Sequence, residues 1–319
     1  MNNPMQHTPF RKSWRNGFGP TMLMVASLFV LAGVVPTALA SLPAPTQRYT
    51  FKTVDAPGDA TATGFLLTWV NDSGLVIQQY IDANGFFHTA ALLHNVWTVI
   101  DVPGAANTGA TNPNSQGQVA LSYWGADNVY HLAIWQKGHY TYVTDPCPGY
   151  VFWGANGIND LGQVTSLVSD ATYTTFLAYV GDSKHHTVLA YPGSTFTCPF
   201  MTNDRGVMVG DYYDSAGVQH GFVYDIQSGM QLSVDVPGGA GTILADVNNE
   251  GEIVGNYFRE SGGNAFGVVI QRLNLTAFDV PGSEAVTLSF ITANHTIAGS
   301  YLATDGKNHG FVATPVDRE

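Results

Sequence analysis

The sequence predicts an all-β chain, a six-bladed β-propeller of four-stranded repeats about 45 residues long, its ring closed by an N-terminal strand that completes the last blade. Three observations carry that expectation. Pro-Gly pairs recur at Pro57-Gly58, Pro103-Gly104, Pro148-Gly149, Pro192-Gly193, Pro237-Gly238 and Pro281-Gly282, in steps of 44 to 46 residues. A turn glycine at Gly74, Gly117, Gly162, Gly206 and Gly251, with His295 in the sixth place, keeps the same phase in steps of 43 to 45. Finally, the array is ragged at both ends: it opens with a lone fourth strand, Tyr49 to Val54, and stops after a third strand, His309 to Thr314. Joining those ends makes six whole units and removes the open sheet edges of a linear stack.

Within the clearest copy, Thr195 to Gly239, apolar residues alternate: Val207 and Val209, then Phe222 and Tyr224, then Leu232, Val234 and Val236. Alternation marks strands with one buried face. Asn203-Asp204-Arg205-Gly206 and Asp214-Ser215-Ala216-Gly217 are turns whose Asn, Asp and Gly tolerate positive φ. Val-Pro-Gly suits a type II turn, Pro fixing φ at the second position and Gly taking positive φ at the third. The four strands of this copy are expected near 198–203, 207–213, 219–225 and 230–236.

Ahead of the repeats, residues 1–40 have the pattern of a secretory signal peptide: Arg11, Lys12 and Arg15, an apolar run from Met22 to Val35, then Ala38-Leu39-Ala40. The run is shorter than the roughly 20 residues of a spanning helix, so cleavage rather than anchoring is expected. Residues 41–48 are a linker and 49–319 a single propeller domain. The product is expected to be secreted or periplasmic, monomeric, and free of the membrane after cleavage. The chain holds 12 Lys and Arg against 24 Asp and Glu, a net charge of −12. Losing three cationic residues with the signal makes the mature surface more acidic still, which disfavours nucleic acid and anionic membranes, so no nucleic-acid partner is expected. Only 11% of residues are charged and 45% are hydrophobic, a composition for a turn-dense β core and not for disorder. Cys147, after one fourth strand, and Cys198, at the start of a first strand one blade later, are a candidate disulfide in an export-compatible context.

No residue pattern specifies a reaction. His88, His131, His220 and His309 recur in phase, yet equivalent positions on different blades do not converge, so a histidine hydrogen-bonding within its blade is the expectation and a metal site is not. Asp55, Asp101, Asp235 and Asp279 precede the Pro-Gly turns and are expected to accept neighbouring backbone N–H groups. Together with Asp82, Asp214 and Asp305 they would make one face acidic, with Ca²⁺ as a lesser reading and no cofactor otherwise. Gly-x-Ser-x-Gly, His-Glu-x-x-His, a Walker loop and a dinucleotide fingerprint are all missing. The third and fourth connections gather aromatics instead. Trp124, Tyr150, Trp153 and Tyr191 are the candidate ligand-binding residues, an aromatic lip whose flat faces suit sugar rings or an extended peptide.

The recurring Asn-x-x-Gly-x-Ile-Val-Gly-x-Tyr, His-Gly-Phe and Asp-Val-Pro-Gly motifs resemble the bacterial extracellular HAF-type repeat proteins over nearly all of 49–316. The resemblance is best at Asn203–Gly239 and Asn248–Gly255 and loosest at 145–200, where Val164–Val168 reads Val-Thr-Ser-Leu-Val and Thr175 replaces the histidine; Phe266 replaces it in a later copy. It implies secretion and a repetitive β fold and brings no catalytic residues. A secreted, non-catalytic propeller binding a glycan or an extracellular protein is therefore the leading expectation. A polysaccharide hydrolase or lyase with carboxylates at the channel mouth, and a structural surface or matrix protein, are the alternatives.

Overall fold

The computed structural model describes residues 42–43, 48–56, 66–182, 184–272 and 274–316. The expected signal peptide, much of the linker and the Pro57-Gly58 turn lie outside the described residues. Strand β1 (Tyr49–Val54) precedes the repeats. The first repeat is β2 (Leu66–Val70), β3 (Val76–Ile81), β4 (Phe87–Leu93) and β5 (Val96–Val99); the second is β6 (Thr108–Pro113), β7 (Gln118–Trp124), β8 (Tyr130–Gln136) and β9 (His139–Val143). The third is β10 (Val151–Ile158), β11 (Val164–Ser169), β12 (Phe176–Gly181) and β13 (His186–Leu189). The fourth is β14 (Thr197–Thr202), β15 (Val207–Tyr213), β16 (Gln219–Asp225) and β17 (Gln231–Val234), each strand within a few residues of its expected place. The fifth is β18 (Gly241–Val247), β19 (Ile253–Phe258), β20 (Ala265–Gln271) and β21 (Asn274–Phe278); the sixth has three strands of its own, β22 (Ser283–Ile291), β23 (Ile297–Ala303) and β24 (Asn308–Pro315).

Consecutive strands pair antiparallel within each repeat, and one parallel bridge, Gln219 to Gly241, links the fourth and fifth repeats into a single eight-stranded sheet. Strand β1 pairs antiparallel with β24, from Tyr49 opposite Pro315 to Val54 opposite Gly310, and so gives the sixth repeat its fourth strand. Gln78 of the first repeat donates to the Val54 carbonyl at 2.7 Å, which ties β1 to the opposite neighbour as well.

The core lies between the sheets. Trp69, Ile77 and Ile100 of the first repeat pack with Val119, Leu121 and Trp135 of the second; Val254 and Val269 of the fifth pack with Leu288, Ile297 and Phe311 of the sixth. Val54, Val70, Val76 and Ala298 form a smaller cluster joining β1 and the sixth repeat to the first. Each large apolar side chain withdrawn from water contributes roughly 1.5–3 kcal/mol, so these layers are the main source of stability. Sheets stacked face to face through successive repeats are the architecture of a β-propeller.

Polar groups link the same neighbours. Asn71 Nδ2 donates to the Asn114 carbonyl (2.8 Å), Asn114 to that of Asn159 (3.1 Å), Asn203 to that of Asn248 (2.9 Å) and Asn248 to that of Thr292 (3.2 Å). Asp204 accepts the Asp160 N–H at 2.9 Å, and Asp72 accepts Asn294 Nδ2 at 3.1 Å. The same asparagines close their own turns: Asn203 Oδ1 accepts the N–H groups of Arg205 and Val207. One residue type therefore serves both the hairpin and its neighbour.

The candidate disulfide does not form. Both cysteines are buried and free, in separate clusters: Cys147 with Phe152, Val168 and Tyr179, and Cys198 with Leu167, Phe200 and Ile243. Burial pushes the Cys147 thiol up to about 12 and the Cys198 thiol well above its usual range, so each behaves as a small apolar side chain.

Candidate functional site

Strand alternation places the turns between second and third strands, and the connections from fourth to first strands, at one end of every sheet. The asparagine turns lie at the other. The first of these ends carries the recurrent Tyr, His and Asp, and the structure brings them together. In the first repeat His88 Nδ1 donates to Asp101 Oδ2 at 2.6 Å, Asp101 Oδ1 accepts the Thr89 N–H at 2.7 Å, and the imidazole lies 5.6 Å from the Tyr80 ring on the adjacent strand. His220 repeats this with Asp235 (2.9 Å) and Tyr212 (5.1 Å); His309 does so with Asp55 (2.9 Å) and Tyr301 (5.4 Å), Asp55 also accepting the Gly310 N–H. The histidines thus bond within their repeats, as the sequence suggested; of the aspartates, Asp55 and Asp101 accept the expected backbone N–H groups, whereas Asp235 and Asp279 accept the hydroxyls of Ser233 and Ser283 instead.

Two copies show what replaces the trio. His131 stacks on Tyr123 but turns its Nε2 to Asp127 at 2.9 Å. In the fifth repeat Phe266 takes the histidine's place beside Tyr257, and the Arg259 guanidinium sits 3.9 Å over its ring, a cation–π contact in place of the ion pair.

This end of the molecule is acidic. Asp82, Asp127, Asp170 and Asp214 are held below the usual carboxylate range, chiefly by the Phe86 N–H, the His131 side chain, the Thr172 hydroxyl and the Val218 N–H respectively. Such groups are ionised hydrogen-bond acceptors near neutral pH and poor proton donors. The carboxyls raised toward neutrality, Asp211 to about 7 and Asp246 to about 8, are both fully buried, where no substrate reaches them. Among the described residues no group of three or more His, Cys, Asp or Glu side chains is arranged to hold a metal ion.

The four expected aromatic residues find different surroundings. Trp124 is 43% exposed, its ring edge-on to Tyr130 at 4.6 Å. Trp153 is half-buried, donates from Nε1 to Ser169 Oγ at 3.0 Å and meets Tyr173 edge-on at 6.0 Å. Tyr150 packs against the Cys147 cluster, and Tyr191 is stacked on Tyr212 at 3.7 Å. Each ring thus has its own partners instead of joining one lip. Two further rings went unremarked in the sequence. Phe86 and Tyr173 are 45% and 43% exposed, and each stands in the turn between second and third strands, as Trp124 stands at the edge of one. Their position three or four residues from Asp82 and Asp170 was the signal available. The first three repeats therefore each present one exposed ring within four residues of an aspartate held below the usual carboxylate range. Elsewhere, a shallow recess of about 300 Å³ lies over the outer hairpins of the second repeat, lined by Gln118, Ile134, Gln136, Lys137, His139 and Thr141.

No family model and no curated relative matches the chain. Solved structures do. A putative TolB from Agrobacterium tumefaciens superposes with a TM-score of 0.53 at 12% identity, covering 80% of this chain and 91% of that one. The Aleuria aurantia lectin, a six-bladed propeller that recognises fucose, gives 0.46 at 13% identity over 77% of this chain and 90% of its own. A Trypanosoma rangeli sialidase gives 0.45 at 7% identity, over 85% of this chain and 60% of that one. At 12% identity the likeness to the TolB structure speaks of fold and not of activity. The chain is an all-β protein with a propeller fold.

Proposed function

We propose that the chain is an exported, closed six-bladed propeller that binds a glycan, without chemistry of its own, at the acidic end of its first three repeats. The observation that carries this reading is the placement of Phe86, Trp124 and Tyr173: three exposed rings in, or in Trp124's case at the strand edge of, the second-to-third-strand turns of successive repeats, each with an ionised aspartate close by in sequence. A flat apolar face beside a charged acceptor is what a sugar ring needs, its C–H face on the ring and its hydroxyls on the carboxylate. Ring closure is supported by the pairing of β1 with β24 and by hydrogen bonds that pass between all six pairs of neighbours, the last from Asn294 to Asp72. Export rests on the pattern of residues 1–40, and kinship with the HAF-type repeats on the motifs, whose Asn, Tyr, His and Asp all have structural parts in this fold. A mature N-terminus at Ser41 in the exported protein is expected.

The test is a glycan panel screened with the mature protein, with and without Ca²⁺, followed by Trp124→Ala and Tyr173→Ala. Saturable binding without product formation, weakened at least about tenfold by either substitution at an unchanged melting temperature, supports the reading; removing one stacking ring is a loss of about 1.4 kcal/mol. Binding only to proteins would transfer the face to a protein partner. Product release from any glycan would refute the non-catalytic assignment.

A further inference from the structure

The first strands of the second to sixth repeats each carry a bulge, for example between Ala110 and Pro113 and between Leu244 and Asp246. A bulge leaves backbone groups unpaired within its sheet, and buried groups of that kind must be satisfied from elsewhere. The preceding repeat supplies the partners. Asn112 accepts the Ile158 N–H at 3.1 Å and donates to the Ile158 carbonyl at 2.8 Å; Asn256 clamps Leu288 likewise, at 2.8 and 2.9 Å. In a strand the N–H and C=O of one residue point to the same edge, so a carboxamide meets both with one donor and one acceptor.

Asp246 stands at the position of Asn112, two residues before the turn asparagine, and makes half of this clamp. Its Oδ2 accepts the Ile291 N–H at 2.7 Å, while its Oδ1, buried with the rest of the residue, has no hydrogen-bond partner. Ile291 pairs with Ile297 in the register in which Ile158 pairs with Val164, so its carbonyl lies on the edge that faces Asp246. An ionised carboxylate would set Oδ1 against that carbonyl oxygen, a repulsion that a buried site leaves unscreened. We infer that Asp246 is held as the neutral carboxylic acid, its Oδ1–H donating to the Ile291 carbonyl, and that loss of this proton releases the seam between the fifth and sixth repeats. Burial, opposed only by the N–H groups of Ile291 and Val247, pushes the carboxyl up to about 8, and no charged side chain of β18, β19 or β22 contributes. The device is an alkali-sensitive latch next to the repeat that β1 completes.

The sign follows from linkage. A carboxyl whose folded value is raised stabilises the fold fully below its unfolded value, near 4, and that stabilisation is lost as pH rises to about 8, with a limiting slope of about one proton, tenfold in the folding constant per pH unit. The experiment compares the full-length protein with Asp246→Asn and Asn112→Asp between pH 5 and 9, following unfolding in urea and hydrogen exchange at the Ile291 and Ile158 amides. Asp246→Asn should remove about one proton from the pH dependence and hold Ile291 protection, relative to Ile158, constant. Asn112→Asp should move the alkaline loss to Ile158. The native protein alone suffices if a variant fails to fold: Ile291 protection must fall against Ile158 as pH rises. Parallel protection of the two amides, or an unchanged pH slope in Asp246→Asn, would overturn the latch.

Discussion

The first two repeats and the last four fill the same layer from opposite sides. Where second and third strands cross, the first repeat sets Gln78 against Ala90 and the second sets Leu121 against Ala133, large on the second strand and small on the third. From the third repeat onward the order reverses: Ser166 against Tyr179, Gly210 against Phe222, Gly255 against Val268, Gly299 against Phe311. All of the larger members are buried. A Cβ on Gly210 would overlap the Cys198 carbonyl and crowd the Phe222 ring; one on Gly299 would overlap the Thr287 carbonyl and crowd Phe311. The glycine of Gly-x-Tyr and the phenylalanine of His-Gly-Phe are therefore one packing unit. What each repeat conserves is filled volume, and which strand supplies it is free.

The sixth repeat carries this freedom furthest, since its outer strand comes from the other end of the chain. Deleting Tyr49–Val54 removes a six-residue ladder, the buried Val54 and the acceptor of Gln78. It is the largest effect expected, comparable to the whole ~5–15 kcal/mol by which a domain is stable, and would be read as loss of cooperative unfolding. A near-native melting temperature would show that β1 only decorates the sheet.

Next in size is Phe222→Ala, expected to cost about 3–5 kcal/mol in urea titration because nothing can collapse onto the vacated layer. The double variant Gly210→Leu with Phe222→Ala moves the filling side chain to the second strand, as in the second repeat, and relieves its crowding with the Phe222 ring while leaving the overlap with the Cys198 carbonyl. It should recover at least about 1 kcal/mol against the sum of the two single losses. Strict additivity would mean that the two residues do not share one volume.

The Asp211 carboxyl sharpens the comparison in polar terms. It occupies the place of Asn256 in Gly-x-Tyr but, where Asn256 clamps the next repeat, it accepts Gln219 Nε2 at 2.7 Å within its own. Burial raises it to about 7, with the Gln219 bond opposing. Its stabilisation is complete below pH 4 and is lost as pH rises through 7. Asp211→Asn should remove a slope of up to about 1.4 kcal/mol per pH unit over that window and leave the slope from Asp246 in place. An unchanged profile would place the charge elsewhere.

These contrasts also mark what the sequence could disclose. Strands and turns were legible because a period of two and Asn-x-x-Gly are local signals, and the ragged ends announced the pairing of β1 with β24. The reach of each asparagine to its neighbour, the bulges and the separation of Cys147 from Cys198 depend on which edge faces which, and a repeat length does not encode that. The reciprocal sizes at Leu121 and Ala133 and at Gly210 and Phe222 were visible in principle, but only once the strand register said which residues to compare. Of the rings in the proposed site, Trp124 was legible in the sequence. Phe86 and Tyr173 were passed over because ordinary turns surround them, whereas Tyr191 stood out in sequence although it is stacked on Tyr212.

The smallest effect expected is His220→Phe, which gives the fourth repeat the pair that Tyr257 and Phe266 form in the fifth. The ring contact with Tyr212 is kept, and the hydrogen bond to Asp235 is lost. That carboxylate is about half exposed, so water replaces the imidazole and no buried group is stranded. The cost should stay near 0.5–1.5 kcal/mol in urea titration. His309→Phe should cost more, because Asp55 also accepts the Gly310 N–H and so fixes the chain directly after β1 to β24. Equal costs would mean that the trio is a surface tie wherever it occurs. A loss above about 3 kcal/mol in the fourth repeat would mean that Tyr, His and Asp organise the sheet itself, and that the third repeat, where the register puts Leu177 opposite Val168 at the histidine's place and not Thr175 as the repeat phase suggested, is held by different means.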